Sequence, residues 1–400
     1  MMPSYLNALG LICALGQGKQ AVAEALFAGD ASGMRGEDGW VGERRLTVGA
    51  VRAELPPMPA GLESAQSRNN QLLLAAALEI EAPIRAAIAL YGSSRVGVVI
   101  GTSTSGIHEA SRDIAHFVQH GALPADYRYA QQEMVAPAAF LSDWLGLGGP
   151  TYCLSTACTS SARALLSAHR LLQQGLCDAV LCGGADSLCR LTLGGFSALE
   201  AVSAEPCNPF SANRQGINIG EGAALFLMTR APMNDEPLPI ALLGGGASSD
   251  AYHISAPQPH GLGAQQAMRS ALAAAGLAAE QIDYLNLHGT ATAHNDAMES
   301  QAVQALFPAG VPCSSTKPLT GHCLGAAGAL EAAFCWLTLS TYNPDRRLPP
   351  HLWDGQPDPQ LPPLALVAPG NRSTKPLRRL MSNSFAFGGS NLSLILGAAP

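Results

Sequence analysis

The chain has little charge. Among its 400 residues, Lys and Arg number 23 and Asp and Glu 30, so charged side chains are 13% of the chain against roughly 25% in ordinary domains. So low a fraction implies that much of the chain is hidden from water, in a large layered core or an extensive subunit interface, and an oligomer is the first expectation. Disorder is excluded, because disordered chains are charge-rich and 48% of this one is hydrophobic. The net charge of -7 argues against a nucleic-acid partner, since phosphate binding needs clustered Lys and Arg. No stretch offers about 18 uninterrupted apolar residues. The opening MMPSYLNALGLICALGQG has no basic n-region, so neither a membrane span nor a secretory signal is expected, and the expected location is the cytoplasm. The ten Cys contain no C-x-x-C pair and lie mostly in apolar stretches such as LCDAVLCGGADSLC, so they read as reduced core thiols. Glycine is plentiful, at 42 residues with 28 Pro, which implies tight turns and close backbone approaches.

Short β-rich runs at 95–102, 178–185 and 282–289 alternate with Ala/Leu-rich helical segments at 159–175, 264–276, 294–306 and 324–340. Buried parallel strands covered by helices, an α/β fold, fit this alternation. One internal boundary stands out, APMNDEPLP at 231–239, where Pro and acidic residues separate two apolar strands; it divides the chain into 1–232 and 238–400. NIGEGAALFLM at 218–228 and FGGSNLSLIL at 387–396 close the two parts alike, which suggests a diverged duplication. The mixed segment 33–66 reads as a surface excursion.

Four stretches carry chemistry. In PTYCLSTACTSSARALLSAHRLL a strand meets small residues, then Cys158, then a helix with apolar positions at helical spacing. A Cys at a helix N-terminus is expected to favour thiolate and to sit beside free backbone donors. The alternative is a buried apolar thiol like Cys153 or Cys177. In YLNLHGTATAHNDAMES an apolar strand delivers His288 at its carboxyl end, where open α/β sheets place ligand sites. A lone His there is more often structural. In CSSTKPLTGHCLGAAGALEAAFCW, Lys317 precedes His322, which is expected at a second helix N-terminus whose dipole keeps its imidazole neutral. Glu331, inside the apolar helix, needs a partner, and Lys317 is the candidate. The Gly/Ala run reads as close helix packing. In RLMSNSFAFGGSNLSLIL a strand brings Phe385 and Phe387 to a Gly-Gly hinge.

In this order, Cys at a strand-to-helix elbow, HGTAT, KxxxGHxxGAAG and NSFxFGGxN resemble the β-ketoacyl carrier-protein synthases of the Cys-His-His branch, over nearly the whole chain. The resemblance implies the thiolase fold, five alternating αβαβα layers built from two similar halves. It implies that Cys158 is the acylated nucleophile, that His288 and His322 drive decarboxylation, and that Lys317 and Glu331 form a supporting ion pair. It also implies that Thr290 and Thr292 hold a phosphopantetheine arm, that Phe387 gates the site beside Phe385, and that the Phe387 and Cys158 N–H groups form an oxyanion hole. The reaction implied is condensation of the acyl group with malonyl-carrier protein, extending the chain by two carbons. No metal or resident cofactor is expected, because the arm belongs to the acyl carrier protein, the expected partner. A dimer, with itself or with a homologous subunit, is expected as well.

Ala291 and Ala386 stand where the family commonly has Ser and Gly, so the gate is expected to be stiffer. Thr104 is expected at the floor of the acyl pocket. With a short, base-poor segment 200–216, these departures point toward a specialised polyene or polyketide pathway. Candidates for docking an acidic carrier are Arg44, Arg45, Arg68, Arg128, Arg214 and the cluster Arg372, Lys375, Arg378 and Arg379. A thiolase would need a second catalytic Cys where Phe387-Gly388 stands. A starter-type synthase would replace one His by Asn. A non-catalytic chain-length subunit is the rival from another class, opposed by the presence of Cys158, both His and Lys317.

Overall fold

The computed structural model describes residues 2–233 and 239–398; most of the boundary segment 231–239 lies outside the described residues. The strands are β1 (Ser4–Cys13), β2 (Gly16–Gln17), β3 (Met34–Val41), β4 (Arg44–Gly49), β5 (Val96–Gly101), β6 (Thr151–Leu154), β7 (Ala179–Asp186), β8 (Gly222–Thr229), β9 (Ile240–Ser249), β10 (Tyr284–Asn286), β11 (Cys313–Ser314), β12 (Arg379–Phe385) and β13 (Ser390–Ala398).

Two groups of five strands have the same order. The first runs β6-β5-β7-β8-β1 and the second β11-β10-β12-β13-β9. In each, the first three strands are parallel and the last two pairings antiparallel. The similar tails 218–228 and 387–396 fall on β8 and β13, which occupy equivalent places. Where two separate sheets were expected, the groups join edge to edge through Ser4↔Leu242 and Tyr5↔Ala241 of β1 and β9. Only two residue pairs make that seam, so the halves share a margin and pack mainly through side chains.

Period-2 alternation with both faces apolar is the signature of a sheet covered on both sides. On β8, Ala224, Phe226 and Met228 enter one core, while Ala223, Leu225 and Leu227 enter another. The first core lies around the helices Ser160–Gln173 and Ala327–Leu339, which also receive Leu392, Leu394 and Leu396 of β13. The second holds the helices Arg68–Glu79 and Ala136–Leu145, and a third, with Ile395, holds Leu262–Ala275 and Ala293–Leu306. The result is five layers, helices alternating with strands. The central helices approach closely because Gly and Ala face each other: a Cβ on Gly328 would lie 2.7 Å from that of Ala162.

The segment 33–66 is more than an excursion. It contains the β3–β4 hairpin, whose Leu46 and Val48 are fully buried against Leu193, Ile219 and Leu324 in a small fourth core. Alternation in this strand was masked by the charged residues around it.

Candidate active site

The parallel strands of both groups end at one place. Cys158 follows β6, His288 follows β10, Lys317 follows β11 and Phe387 follows β12, so the loops at four strand ends converge, as is usual for ligand sites in α/β sheets. They surround a cavity of about 510 Å³ lined by Cys158, His288, Thr290, Thr292, His322, Phe385 and Phe387.

The backbone there is held under strain. Ala157, Phe210, Ala291 and Leu324 have φ of 51°, 63°, 64° and 49°, a region that costs a residue other than Gly about 1–3 kcal/mol and persists only where the surroundings impose it. Each lies in a loop that carries or backs a site residue. Packing of the layers holds these loops bent, so their side chains point into the cavity.

His322 Nε2 lies 3.0 Å from Cys158 Sγ. The His288 ring meets the His322 ring edge-on with centroids 5.3 Å apart, and Phe385 closes its other side at 6.1 Å. Behind His288, Lys317 Nζ faces Nδ1 at 3.4 Å, donates to the His288 carbonyl, and pairs with Glu331 at 2.5 Å. Lys317 and Glu331 are almost wholly buried, at 2% and 4% side-chain exposure, and form the buried pair expected of them. Thr290 and Thr292 share a hydroxyl hydrogen bond of 2.9 Å at the cavity wall. Phe387 stacks at a tilt against Phe196, centroids 5.6 Å apart, across the mouth.

The expected ionisation of Cys158 is corrected. The helix starts at Ser160 with Thr159 as its cap, so Cys158 lies just outside it. Burial pushes the thiol up to about 11, and the Lys317 charge and the backbone N–H groups of Phe387 and Cys158 only partly offset this. Burial therefore favours the thiol form of Cys158 over the thiolate. Those same two N–H groups are the pair assigned to the oxyanion hole. His322 likewise precedes the Ala327–Leu339 helix by a short turn, Leu324–Ala326. Its pKa is held well below the ordinary histidine range, but burial is the main cause and Lys317 the second. His288 is lowered by burial, by Lys317 and by His322.

Cys158, His288 and His322 offer three metal-ligand atoms within 4.8 Å of one another. The donor set does not suit a cation. The Lys317 ammonium can only donate, so His288 Nδ1 must accept and the ring proton sits on Nε2, which leaves no lone pair toward the cavity. The ammonium also repels a cation.

Thr104 is not brought to the cavity. It is fully buried, and both its N–H and its hydroxyl donate to Asp186 Oδ1 at 2.7 Å. Asp186, at the end of β7, also accepts from Thr102, Ser103 and Ala326. The expected stiff gate is not produced by Ala386 alone: its φ is ordinary and its N–H closes on the Ser390 carbonyl, while Gly388 and Gly389 at φ 85° and 79° make the turn.

Asp296 and Glu299 read in the sequence only as acidic residues in the first turn of the helix after HGTAT; that they shape the loop itself was not seen. Glu299 accepts from the His288 and Gly289 N–H groups at 2.8 and 2.7 Å, and Asp296 from Thr290 and Phe210 at 3.1 and 2.7 Å. Both are fully buried, and burial raises them to about 7 and about 6. Their helical positions one turn apart, pointing back at the loop, were the available signal.

Among the described residues, four of the nine docking candidates are engaged in ion pairs: Arg68 with Glu221, Arg214 with Asp358, Arg45 with Asp38 and Arg372 with Asp345. Arg379 begins β12, whose other end carries Phe385; six strand steps of about 3.3 Å put it about 20 Å from the site.

Two similar half-sheets around a central helix layer, with Cys and two His at the strand ends, define a condensing enzyme of the thiolase fold. Residues 62–233 match the model of the beta-ketoacyl synthase N-terminal domain and residues 241–351 that of its C-terminal domain, and the chain belongs to the β-ketoacyl synthase family. It is 34% identical over 307 residues to nodulation protein E of Rhizobium meliloti, covering 75% of each chain. It is 34% identical over 318 residues to 3-oxoacyl-[acyl-carrier-protein] synthase 2 of Vibrio cholerae, covering 76% of each. A chain of the solved complex of a ketosynthase with its chain length factor, from Xenorhabdus doucetiae, superposes with TM-score 0.93 at 46% identity, covering 100% of this chain and 98% of that one. The protein is therefore a β-ketoacyl synthase, an acyl-transferring condensing enzyme. Among the described residues no helix is long and apolar enough to cross a membrane.

Proposed function

We propose that Cys158, His322 and His288 carry out a decarboxylative condensation on carrier-bound acyl chains, with Lys317 and Glu331 holding His288. The observation that carries this reading is the approach of His322 Nε2 to Cys158 Sγ at 3.0 Å beside a His288 whose Nδ1 faces Lys317. Cys158 attacks the acyl thioester while His322 takes its proton. The oxyanion forms against the Cys158 and Phe387 N–H groups, donors worth roughly 3 kcal/mol each in comparable sites. The carbon–sulfur bond to the carrier arm breaks, and the proton passes to the departing thiolate. Malonyl thioester then loses carbon dioxide; the electron pair of the broken carbon–carbon bond moves into an enolate, whose oxygen accepts from Nε2–H of both His. The carbanion attacks the acyl-Cys158 carbonyl, the carbon–sulfur bond to Cys158 breaks, and the departing thiolate takes a proton from solvent water.

His322 Nε2 must accept a proton from Cys158 in the first half and offer an N–H hydrogen bond to the enolate in the second. Its Nδ1 is buried with no partner among the described residues, so no neighbour fixes its tautomer, in contrast to His288. The chemistry requires no metal, nicotinamide or flavin; the phosphopantetheine arm comes with the carrier protein and runs past Thr290 and Thr292.

The pathway we assign is a specialised one, of polyene or polyketide type, in the cytoplasm, with a homologous subunit or a second copy as partner. The 46% identity to the Xenorhabdus ketosynthase complex across the whole chain exceeds the 34% to the Vibrio enzyme over three-quarters of it. Exposed Ile114, Phe117, Val118, Met134 and Val135 supply apolar surface for such a subunit. A panel of saturated and polyunsaturated acyl-carrier thioesters tests the pathway. Efficient extension of polyunsaturated chains supports it, and a strong preference for saturated medium-length chains overturns it.

A further inference from the structure

His351 is buried in the segment after the Ala327–Leu339 helix, far along the chain from every site residue except through folding. Its ring is bound at both nitrogens. Ser315 N–H donates to Nδ1 at 3.1 Å, and Nε2 donates to the Pro209 carbonyl at 3.0 Å. A backbone N–H can only donate and a carbonyl only accept, so the tautomer is fixed. Phe210 and Trp353 pack on the ring with centroids 6.0 and 5.7 Å away.

Each of its two partners leads to the loop that carries His288. Ser315 Oγ donates to the Gly289 carbonyl at 2.7 Å and accepts from Lys317 N–H at 3.3 Å. Pro209 precedes Phe210, whose N–H is held by Asp296, the carboxylate that also holds Thr290 N–H. Space is tight between the arms: a Cβ on Gly289 would fall 2.5 Å from Ser315 Cβ and 2.9 Å from the Phe210 ring. These contacts reach His288 and Lys317, and none touches Cys158.

We propose that His351 is a positioning residue for decarboxylation, a two-armed brace that sets the His288–Thr290 loop against Lys317 through Ser315. The inference rests on the proposed roles of His288 and Lys317. Burial holds the His351 ring neutral, with its pKa lowered to about 4 against a small upward pull from the Pro209 bond, so the brace keeps one donor and one acceptor at working pH. An error near 1 Å in a catalytic group can cost on the order of a hundredfold in rate, so loss of the Ser315 arm, the one that reaches both the Gly289 carbonyl and Lys317, is expected to be visible in turnover.

The two nitrogens can be separated by substitution. In His351→Asn the amide oxygen takes the place of Nδ1 and keeps the Ser315 arm; in His351→Gln the amide nitrogen takes the place of Nε2 and keeps the Pro209 arm. Two rates are read for each purified full-length variant: acylation of Cys158 by an acyl-carrier thioester, and carbon dioxide release from malonyl-carrier protein, with kcat and KM resolved. His351→Gln is expected to lower kcat for release about tenfold or more, with KM and the acylation rate within about twofold of wild type, and His351→Asn is expected to recover most of the loss. Release at the wild-type rate in His351→Gln overturns the proposal. Equal loss in both variants, or a parallel fall of acylation and release, also overturns it, because either marks a general structural role. A wild-type protein that acylates Cys158 but releases no carbon dioxide would instead refute the roles of His288 and Lys317.

Discussion

Lys317 Nζ faces His288 Nδ1 at 3.4 Å while pairing with Glu331 at 2.5 Å, both side chains buried. This one arrangement settles the proton on His288 Nε2, adds to the burial that chiefly holds the ring neutral, and explains a carboxylate deep in an apolar helix. It also makes the pair costly to break.

Replacing Lys317 by Met leaves Glu331 buried without its cation, which typically costs about 3–5 kcal/mol. Denaturant melts of Lys317→Met should show that loss. The double variant Lys317→Met/Glu331→Leu should recover most of the stability, since apolar replacement of a buried pair is often neutral. Carbon dioxide release should stay lost in both. Release returning along with stability would show that Lys317 only supports the fold.

The Cys158 thiol, pushed up to about 11 by burial, predicts a distinctive alkylation profile. The iodoacetamide rate at Cys158 should keep climbing with pH beyond about 9.5, where an ordinary thiol of pKa about 8.5 has levelled off. A plateau below neutrality would mean a resting thiolate paired with a protonated His322.

Glu299 has its pKa raised from 4.5 to about 7, so the folded state holds a proton that the unfolded state releases between those values. Stability contributed at Glu299 therefore falls as pH rises through that window, by on the order of 3 kcal/mol at most. The lowered His288 and His322 act with the opposite sign, losing stability as pH falls below about 6.5. Comparing wild type with Glu299→Gln isolates the carboxyl. The stability of wild type relative to the variant should decrease between about pH 5 and pH 8, and an increase would contradict the assignment.

Gly289 has φ 36° and no room for a Cβ between Ser315 and Phe210. Gly289→Ala should destabilise the protein by about 1–3 kcal/mol and slow carbon dioxide release more than Cys158 acylation. Equal slowing of both steps would show that the loop serves the whole site.

Cys158, His288, Lys317, His322, Glu331 and Phe387 were legible because each belongs to a local pattern whose small neighbours are themselves required, such as the Gly and Ala that let backbones approach. The shared pattern of 218–228 and 387–396, Gly and small residues leading into a strand, likewise suggested the matching β8 and β13. Ser315, His351 and Pro209 were not legible, since their contacts span 36 and 142 residues and no periodicity connects them. Thr104 misled because its run of small polar residues looks like a pocket lining, whereas Asp186, distant in sequence, takes every donor it has. The thiolate expected at Cys158 failed for a related reason: helix position can be read locally, but burial is a property of the assembled layers.

The central claim is that an acyl group passes through Cys158 before a malonyl unit is decarboxylated onto it. Intact-protein mass spectrometry, with wild type and Cys158→Ala each given acyl-carrier and then malonyl-carrier protein, tests this most directly. The account predicts an acyl adduct on Cys158 that appears first and vanishes as a 3-ketoacyl carrier two carbons longer forms, with neither species in the variant. Product formed by Cys158→Ala, or a wild-type protein that never carries the adduct, would contradict it.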